Sequence, residues 1–221
     1  MQSQSGSRLG AIGGVAFAVL VFLAVAALET PKKATDQEVI DWWSKGGNQA
    51  SAAVSMFMML GGGIAFGIFI AAFRDRLRDA GSPLANIAHA PGIAASALML
   101  VAASMRGSIG MAVKVNGEPL PGVDALRLVP ELSRTTVEMT CATIAVCALL
   151  TAWAVLRAAG LPNWFGWTSA VLGGLSLVLL PLVGPFVLPL ELLWGIAGSV
   201  VLWRTAPAEV AATRGATTAL A

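Results

Sequence analysis

The residues of this sequence that could do chemistry are a few ionisable side chains set deep in apolar runs, and two thiols. Glu191 is the sharpest of them. Counted back from Arg204 it lies ~20 Å along a helix axis at 1.5 Å per residue, inside a run that otherwise carries no charge. A carboxylate at such depth is costly and ordinarily faces a cavity or a partner. Pro181, Pro185 and Pro189 flank it, so nearby backbone carbonyls are candidates to line a cavity. The alternative is a Glu that snorkels outward or is simply protonated. His89 is the only histidine, which leaves a bis-histidine haem without its second ligand. It reads as an imidazole hydrogen-bonded to a neighbouring helix, just before a kink at Pro91. Arg106 and Glu138 sit where one apolar run ends and the next begins, a spacing that predicts an ion-pair staple between two helices. Cys141 and Cys147 are ~9 Å apart along one helix axis and on different faces, so they read as small apolar fillers rather than a disulfide.

Few other chemistries fit. The chain has no H-E-x-x-H and no Gly-rich loop followed by Lys-Ser/Thr. With a single His, a Ser–His or metal-based site has little to stand on. No cofactor is implied, and the net charge of +2 shows no basic stripe that would bind nucleic acid.

The elements that must position these residues follow from composition. Hydrophobic residues are 57% of 221 positions and charged residues 12%, about half the ~25% of a soluble domain. Long uncharged stretches are the mark of membrane-spanning helices. The reading is an all-α transmembrane bundle of six spans, at 9–28, 51–73, 84–105, 135–156, 163–181 and 186–203, followed by a disordered tail over 205–221. The first run is too long for a signal-peptide core of 7–15 residues and reads as a retained span. Between the first two spans, Thr35 and Glu38 have capping-box spacing. Trp42 and Trp43 follow, where their indoles are expected at headgroup level. Residues 106–133, with Pro119, Pro121 and Pro130, read as a second long loop. Gly63 and Gly67 have the small-xxx-small spacing of closely packed helices, within the bundle or at a dimer face.

Six spans put both termini on one side. Lys and Arg near span ends divide evenly between the sides. The segments holding Arg8, Arg74, Arg76, Arg78, Arg157, Arg204 and Arg214 are shorter and therefore denser in positive charge. That side is expected to be cytoplasmic. Two of its segments share the pattern L-R-x-A-G-x-P, at Leu77–Pro83 and Leu156–Pro162. Gly after a helix end takes the left-handed conformation and Pro prevents continuation. The pattern is either an internal repeat of helical hairpins or a stop signal used twice.

Several pieces together resemble a known family. They are the loop with Asp36, Glu38, Val39, Ile40, Trp42 and Trp43, the end Phe73-Arg74-Asp75-Arg76-Leu77-Arg78, Gly117-Glu118-Pro119-Leu120-Pro121, and Leu161-Pro162-Asn163-Trp164-Phe165-Gly166-Trp167. The chain resembles six-helix integral membrane proteins of actinobacteria, similar in outline to the DUF4386-type proteins. The resemblance implies the six-helix fold and brings no activity or site residues. The expected partners are the lipid bilayer and a second copy or another membrane protein. The expected role is a non-enzymatic accessory or sensory component of the bacterial plasma membrane. The alternative is a small-solute or proton-coupled transporter using Glu191.

Overall fold

A computed structural model of the chain describes residues 3–27, 34–157 and 161–205. The described residues form α1 (Ser3–Ala26), α2 (Asp36–Ser44), α3 (Gly46–Asp79), α4 (Ala85–Gly110) continuing into a π-helical turn (Met111–Val115), α5 (Val123–Arg157), α6 (Asn163–Val183), a short 3-10 turn (Gly184–Val187) and α7 (Leu188–Arg204). Five stretches are long and apolar enough to cross a membrane, the last being the 42 residues Asn163–Arg204. That last stretch is folded back on itself. Trp194 on α7 donates to Ser169 on α6 at 2.9 Å, and Gly198 lies against Phe165, so residues later in α7 meet residues earlier in α6. Gly184, at a φ of 59°, supplies the left-handed backbone needed for the reversal.

The same logic orients the other helices. Gly10 meets Ala72 and Gly62 meets Val21, so α1 and α3 are antiparallel. Gly92 meets Ile70 and Gly107 meets Met56, so α3 and α4 are too. Ser133 donates to the Ala102 carbonyl and the Cys147 thiol to that of Ala88, which orients α5 against α4. Gly173 lies against Ala145 and Gly166 against Leu156, which fixes α6 on α5. Finally α1 returns to α7: Ser7 donates to the Leu202 carbonyl at 2.9 Å, and Gly14 lies against Ser199. Six helices, α1 and α3 to α7, thus close an up-and-down ring in which each packs on its two neighbours. The expected internal packing of Gly63 is present: a Cβ there would meet Met99 and the Ser96 carbonyl, and Ser96 donates to the Gly63 carbonyl.

The outside of the ring is apolar. Ile12, Val19 and Phe22 on α1, Ile64 and Ile68 on α3, and Val171, Val178 and Leu182 on α6 are all exposed. No soluble fold leaves such a continuous apolar band in water, so the fold is that of a multi-pass membrane protein. One end of the ring is basic, with Arg8, Arg74, Arg76, Arg78, Arg157 and Arg204 against Asp75 and Asp79. Trp153, Trp164, Trp167 and Trp203 are exposed near that end, where indoles favour the membrane interface. The first L-R-x-A-G-x-P segment behaves as read. Gly81 has a φ of 74°, and Ser82 donates back to the Leu77 carbonyl, closing the helix end. Ala158, Ala159 and Gly160 of the second copy lie outside the described residues, as does the tail beyond Thr205.

The other end departs from expectation. The supposed loop 106–133 is mostly helical. α4 and its π turn reach Val115, and α5 starts at Val123 and runs through Pro130. At ~1.5 Å per residue α3 and α5 are each over ~50 Å long, far beyond a ~30 Å hydrocarbon core. Their projecting ends build a cap with α2 around Val39, Trp43, Ala52, Ile109 and Leu126. Trp43 is 1% exposed. It is the core of this cap, not a headgroup anchor, because Leu126 and Ile109 give its indole a packed apolar site. Gln49 donates to the Trp43 carbonyl, Asn48 to that of Trp42, and Arg127 pairs with Asp36 at 2.7 Å. The capping box is present: Thr35 Oγ1 accepts from the Glu38 amide, and the Glu38 carboxylate accepts from the Thr35 amide at 2.7 Å.

Those Thr35 hydrogen bonds, the backbone amide first, hold the Glu38 carboxyl below the ordinary carboxylate range. A group whose value is lowered by folding stabilises the fold above its unfolded value. That contribution is lost as pH falls through the folded value. The protection of the α2 amides, taken as each exchange rate relative to the intrinsic rate at the same pH, is expected to fall as the pH is taken from neutral into that acid range. Glu38→Gln, which cannot titrate, removes this dependence. An α2 equally protected at both pH values would remove the box as its source of stability.

Candidate functional site

Inside the ring, the half toward the basic end is filled by aromatic rings. Phe17 and Phe66 lie 4.8 Å apart between centroids, Phe69 and Trp194 5.7 Å, and Phe73 and Phe165 5.3 Å. These side chains come from α1, α3, α6 and α7. They can meet because α1 and α7 carry glycines where the rings lie: Phe17 on Gly195, and Phe69 on Gly198 and Gly14.

Glu191 lies one helical turn beyond Trp194, toward the cap. It is 2% exposed. The lipid face of α7 is Leu193, Ile196, Val200 and Trp203, so the carboxyl belongs to the opposite, inner face. Cys141 on α5 is the polar side chain that faces it. Apart from that thiol, a weak donor, no side chain or backbone group is in hydrogen-bond reach of the carboxyl oxygens, and the buried Ser176 hydroxyl on α6 has no partner. Burying an ionised carboxylate without a partner costs several kcal/mol or more. This carboxyl is therefore the most unusual polar feature of the interior. α6 contributes no ionisable side chain, and α1 none beyond Arg8.

Arg106 and Glu138 are not brought together as a staple. Arg106, half-buried, donates from Nε to Ser55 Oγ at 2.6 Å and from Nη2 to the Ala24 carbonyl at 3.2 Å. Ser55 donates to the same carbonyl at 2.7 Å. The guanidinium thus ties α4 to α3 and to the last turn of α1, where carbonyls lack helical partners. Glu138 instead accepts from Arg134 on its own helix at 2.8 Å. The expected pair fails because both residues have better-placed partners. Arg134 is one turn from Glu138, with Glu131 on its other side, a spacing that was visible in the sequence. The Glu138 carboxylate also abuts Gly184, where a Cβ would come within 2.9 Å of Oε1. It therefore lies over the α6–α7 reversal, and Cys141, one turn along α5, lies between it and Glu191 in reach of both charges.

His89 is half-buried between α4 and α3, facing the Ile70 backbone with Arg74 and Asp75 nearby. Its Nδ1 has no hydrogen-bond partner, so only one edge of the ring meets the expected neighbour. It lies at the basic end, remote from Glu191. Cys141 and Cys147 are both free and buried. No group of three His, Cys, Asp or Glu able to hold a metal ion occurs among the described residues. Sequence reading missed Ser55, Cys141 as a neighbour of Glu191, and Ser176. Nothing in their local sequence distinguishes them from packing residues.

No known protein family, curated protein or solved structure matches the chain.

The Arg106 arrangement predicts a specific coupling. In a double-mutant cycle read by thermal unfolding in detergent, Arg106→Gln and Ser55→Ala are expected to be non-additive by about 1–3 kcal/mol, the range of a charged hydrogen bond. Arg106→Gln and Glu138→Gln should add. The reverse pattern would restore the staple between α4 and α5.

Proposed function

We propose that the protein is a non-enzymatic, proton-linked membrane protein of the bacterial plasma membrane that moves a small solute or cation, with Glu191 as its proton-binding group. One observation carries this reading: a carboxyl 2% exposed, inside the ring, with no ion pair and no donor in reach of its oxygens but the weak one of the Cys141 thiol. A purely structural carboxylate would be expected to hold a partner, as Glu138 does. A group that must gain and lose a proton in a working cycle cannot be permanently paired. Aromatic rings fill the basic side of Glu191, and Cys141 and Glu138 lie toward the cap, so this reading takes the proton's route to be from the cap side once the packing opens. Transport requires that layer to part. The accessory or sensory role is the second reading, favoured by how well the same rings are packed.

The test is proton flux. Proteoliposomes enclosing a pH dye are given a membrane potential. Wild-type protein is expected to change the internal pH faster than protein-free vesicles, and Glu191→Gln to abolish the difference. Leu193→Ala, on the lipid face, should leave it intact. No flux above protein-free vesicles under any imposed gradient, with folded protein, would remove the transport reading and leave the accessory one.

The proposed orientation places both termini in the cytoplasm. The even division of Lys and Arg between sides is broken by Arg106, which turns into the bundle and is no longer a loop charge. Cysteines placed singly at Lys45, Asp79 and Asp124, with Cys141 and Cys147 replaced by Ala, are expected to react with an impermeant thiol reagent in intact cells at 45 and 124 but not at 79. Labelling at 79 alone would invert the orientation.

A further inference from the structure

We infer that the basic end carries a binding site for the headgroup of an anionic phospholipid, seated where the ends of α3, α1 and α7 meet. The three helix ends are adjacent because α1 packs between α3 and α7. Their arginines come to one level. Gly10 lies against both Ala72 and Leu202, so Arg8, Arg74 and Arg204 stand at one level of three adjacent helices, and Arg76, one turn beyond Ala72 on the face of α3 that meets α1, lies just beyond them. Arg74 is occupied by Asp75 at 2.9 Å. Arg8, Arg76 and Arg204 have no ion pair with a carboxylate among the described residues. Arg76 Nε is buried and has no hydrogen-bond partner at all. An orphaned guanidinium nitrogen at the same end of adjacent helices as two guanidinium groups without a carboxylate partner among the described residues calls for an acceptor with several oxygens, and a phosphodiester suits that fork geometry.

The surroundings select a lipid rather than a soluble anion. Arg8 lies over the Trp203 ring at 5.9 Å, and Trp203 is 58% exposed. On the far side of the ring Arg157 stacks on Trp153 at 4.9 Å. Indoles exposed at one level mark the headgroup region of the bilayer, and the apolar faces below them offer a track for acyl chains. A phosphate bound by these arginines would sit at the depth of a lipid phosphate. This inference is independent of Glu191.

The exposed tryptophans make their own probe. Wild-type protein is reconstituted in vesicles containing brominated phosphatidylglycerol or brominated phosphatidylcholine, and tryptophan quenching gives the relative affinity. Each arginine near an anionic surface is worth about fivefold in affinity. Wild type is therefore expected to prefer phosphatidylglycerol severalfold. Arg8→Gln, Arg76→Gln and Arg204→Gln together should bring the ratio close to one, whereas Lys45→Gln with Lys114→Gln at the cap should not change it. Equal quenching of wild type by the two lipids would overturn the proposal, whether or not the triple variant folds. So would a preference that the triple variant keeps, or one that inorganic phosphate abolishes, which would assign the site to a soluble anion.

Discussion

The arrangement depends on how closely α1 can approach its two neighbours. A Cβ at Gly10 would fall 2.2 Å from that of Ala72, and one at Gly14 would fall 2.1 Å from Ser199 Oγ and 2.9 Å from the Gly195 carbonyl. Contacts this short are possible only without a side chain. In a bilayer there is no hydrophobic drive between helices, so close van der Waals approach is a main source of association. The glycine faces of α1 let it lie against α3 and α7 at once, and that converts a row of helices into a closed ring. Closure in turn decides what Glu191 faces.

With the ring closed, the interior divides. Toward the basic end the glycines of α1 and α7 admit large rings, and the space fills with Phe and Trp. Toward the cap the lining becomes polar: Glu191, Cys141, Ser176, and the Arg106–Ser55–Ala24 knot. The knot serves closure too, since it holds the last turn of α1 to α3 and α4. The cap lies over this polar half. The ends of α3 and α5 extend past the hydrocarbon, which is why the cap they build with α2 holds the Arg127–Asp36 pair and the α2 capping box rather than lipid-facing side chains. An aromatic basic half and a polar cap half set Glu191 at the boundary between two different linings.

Much of this was legible in the sequence. Hydropathy marked the chain as an all-α bundle, and the turn residues Gly184 and Pro185, not hydropathy, marked the break between α6 and α7, which by length and apolar character run on as one stretch. Gly81 and the Thr35–Glu38 box were legible because their chemistry is local. What failed was non-local. The stretch 106–133 looked like a loop because its charges and prolines were read against a bilayer. Its Leu126 and Ile109 pack instead on Trp43, a residue distant in sequence. Arg106 and Glu138 were paired by depth alone, which cannot rank them against Ser55 or Arg134. The position of Glu191 along its helix was readable, but the direction it faces was not. That depends on α1 covering α7, a contact between the two ends of the chain.

That contact is therefore the point at which the account is most exposed. Cysteines placed at Ser7 and Leu202, in a chain with Cys141 and Cys147 replaced by Ala and a protease site inserted in the loop at residues 117–121, would report on it in native membranes. Ser7 Oγ donates to the Leu202 carbonyl at 2.9 Å and the Leu202 side chain reaches Gly10, so the two positions face each other across α1 and α7 without a side chain being forced onto a glycine, and a disulfide needs Cβ atoms ~3.5–4.5 Å apart. The account predicts that mild oxidation joins the two positions, so that after cleavage the halves stay linked until reductant is added. Halves that separate without reductant, from a chain that still unfolds cooperatively, would mean that α1 does not cover α7, and that Glu191 looks out of the ring rather than into it.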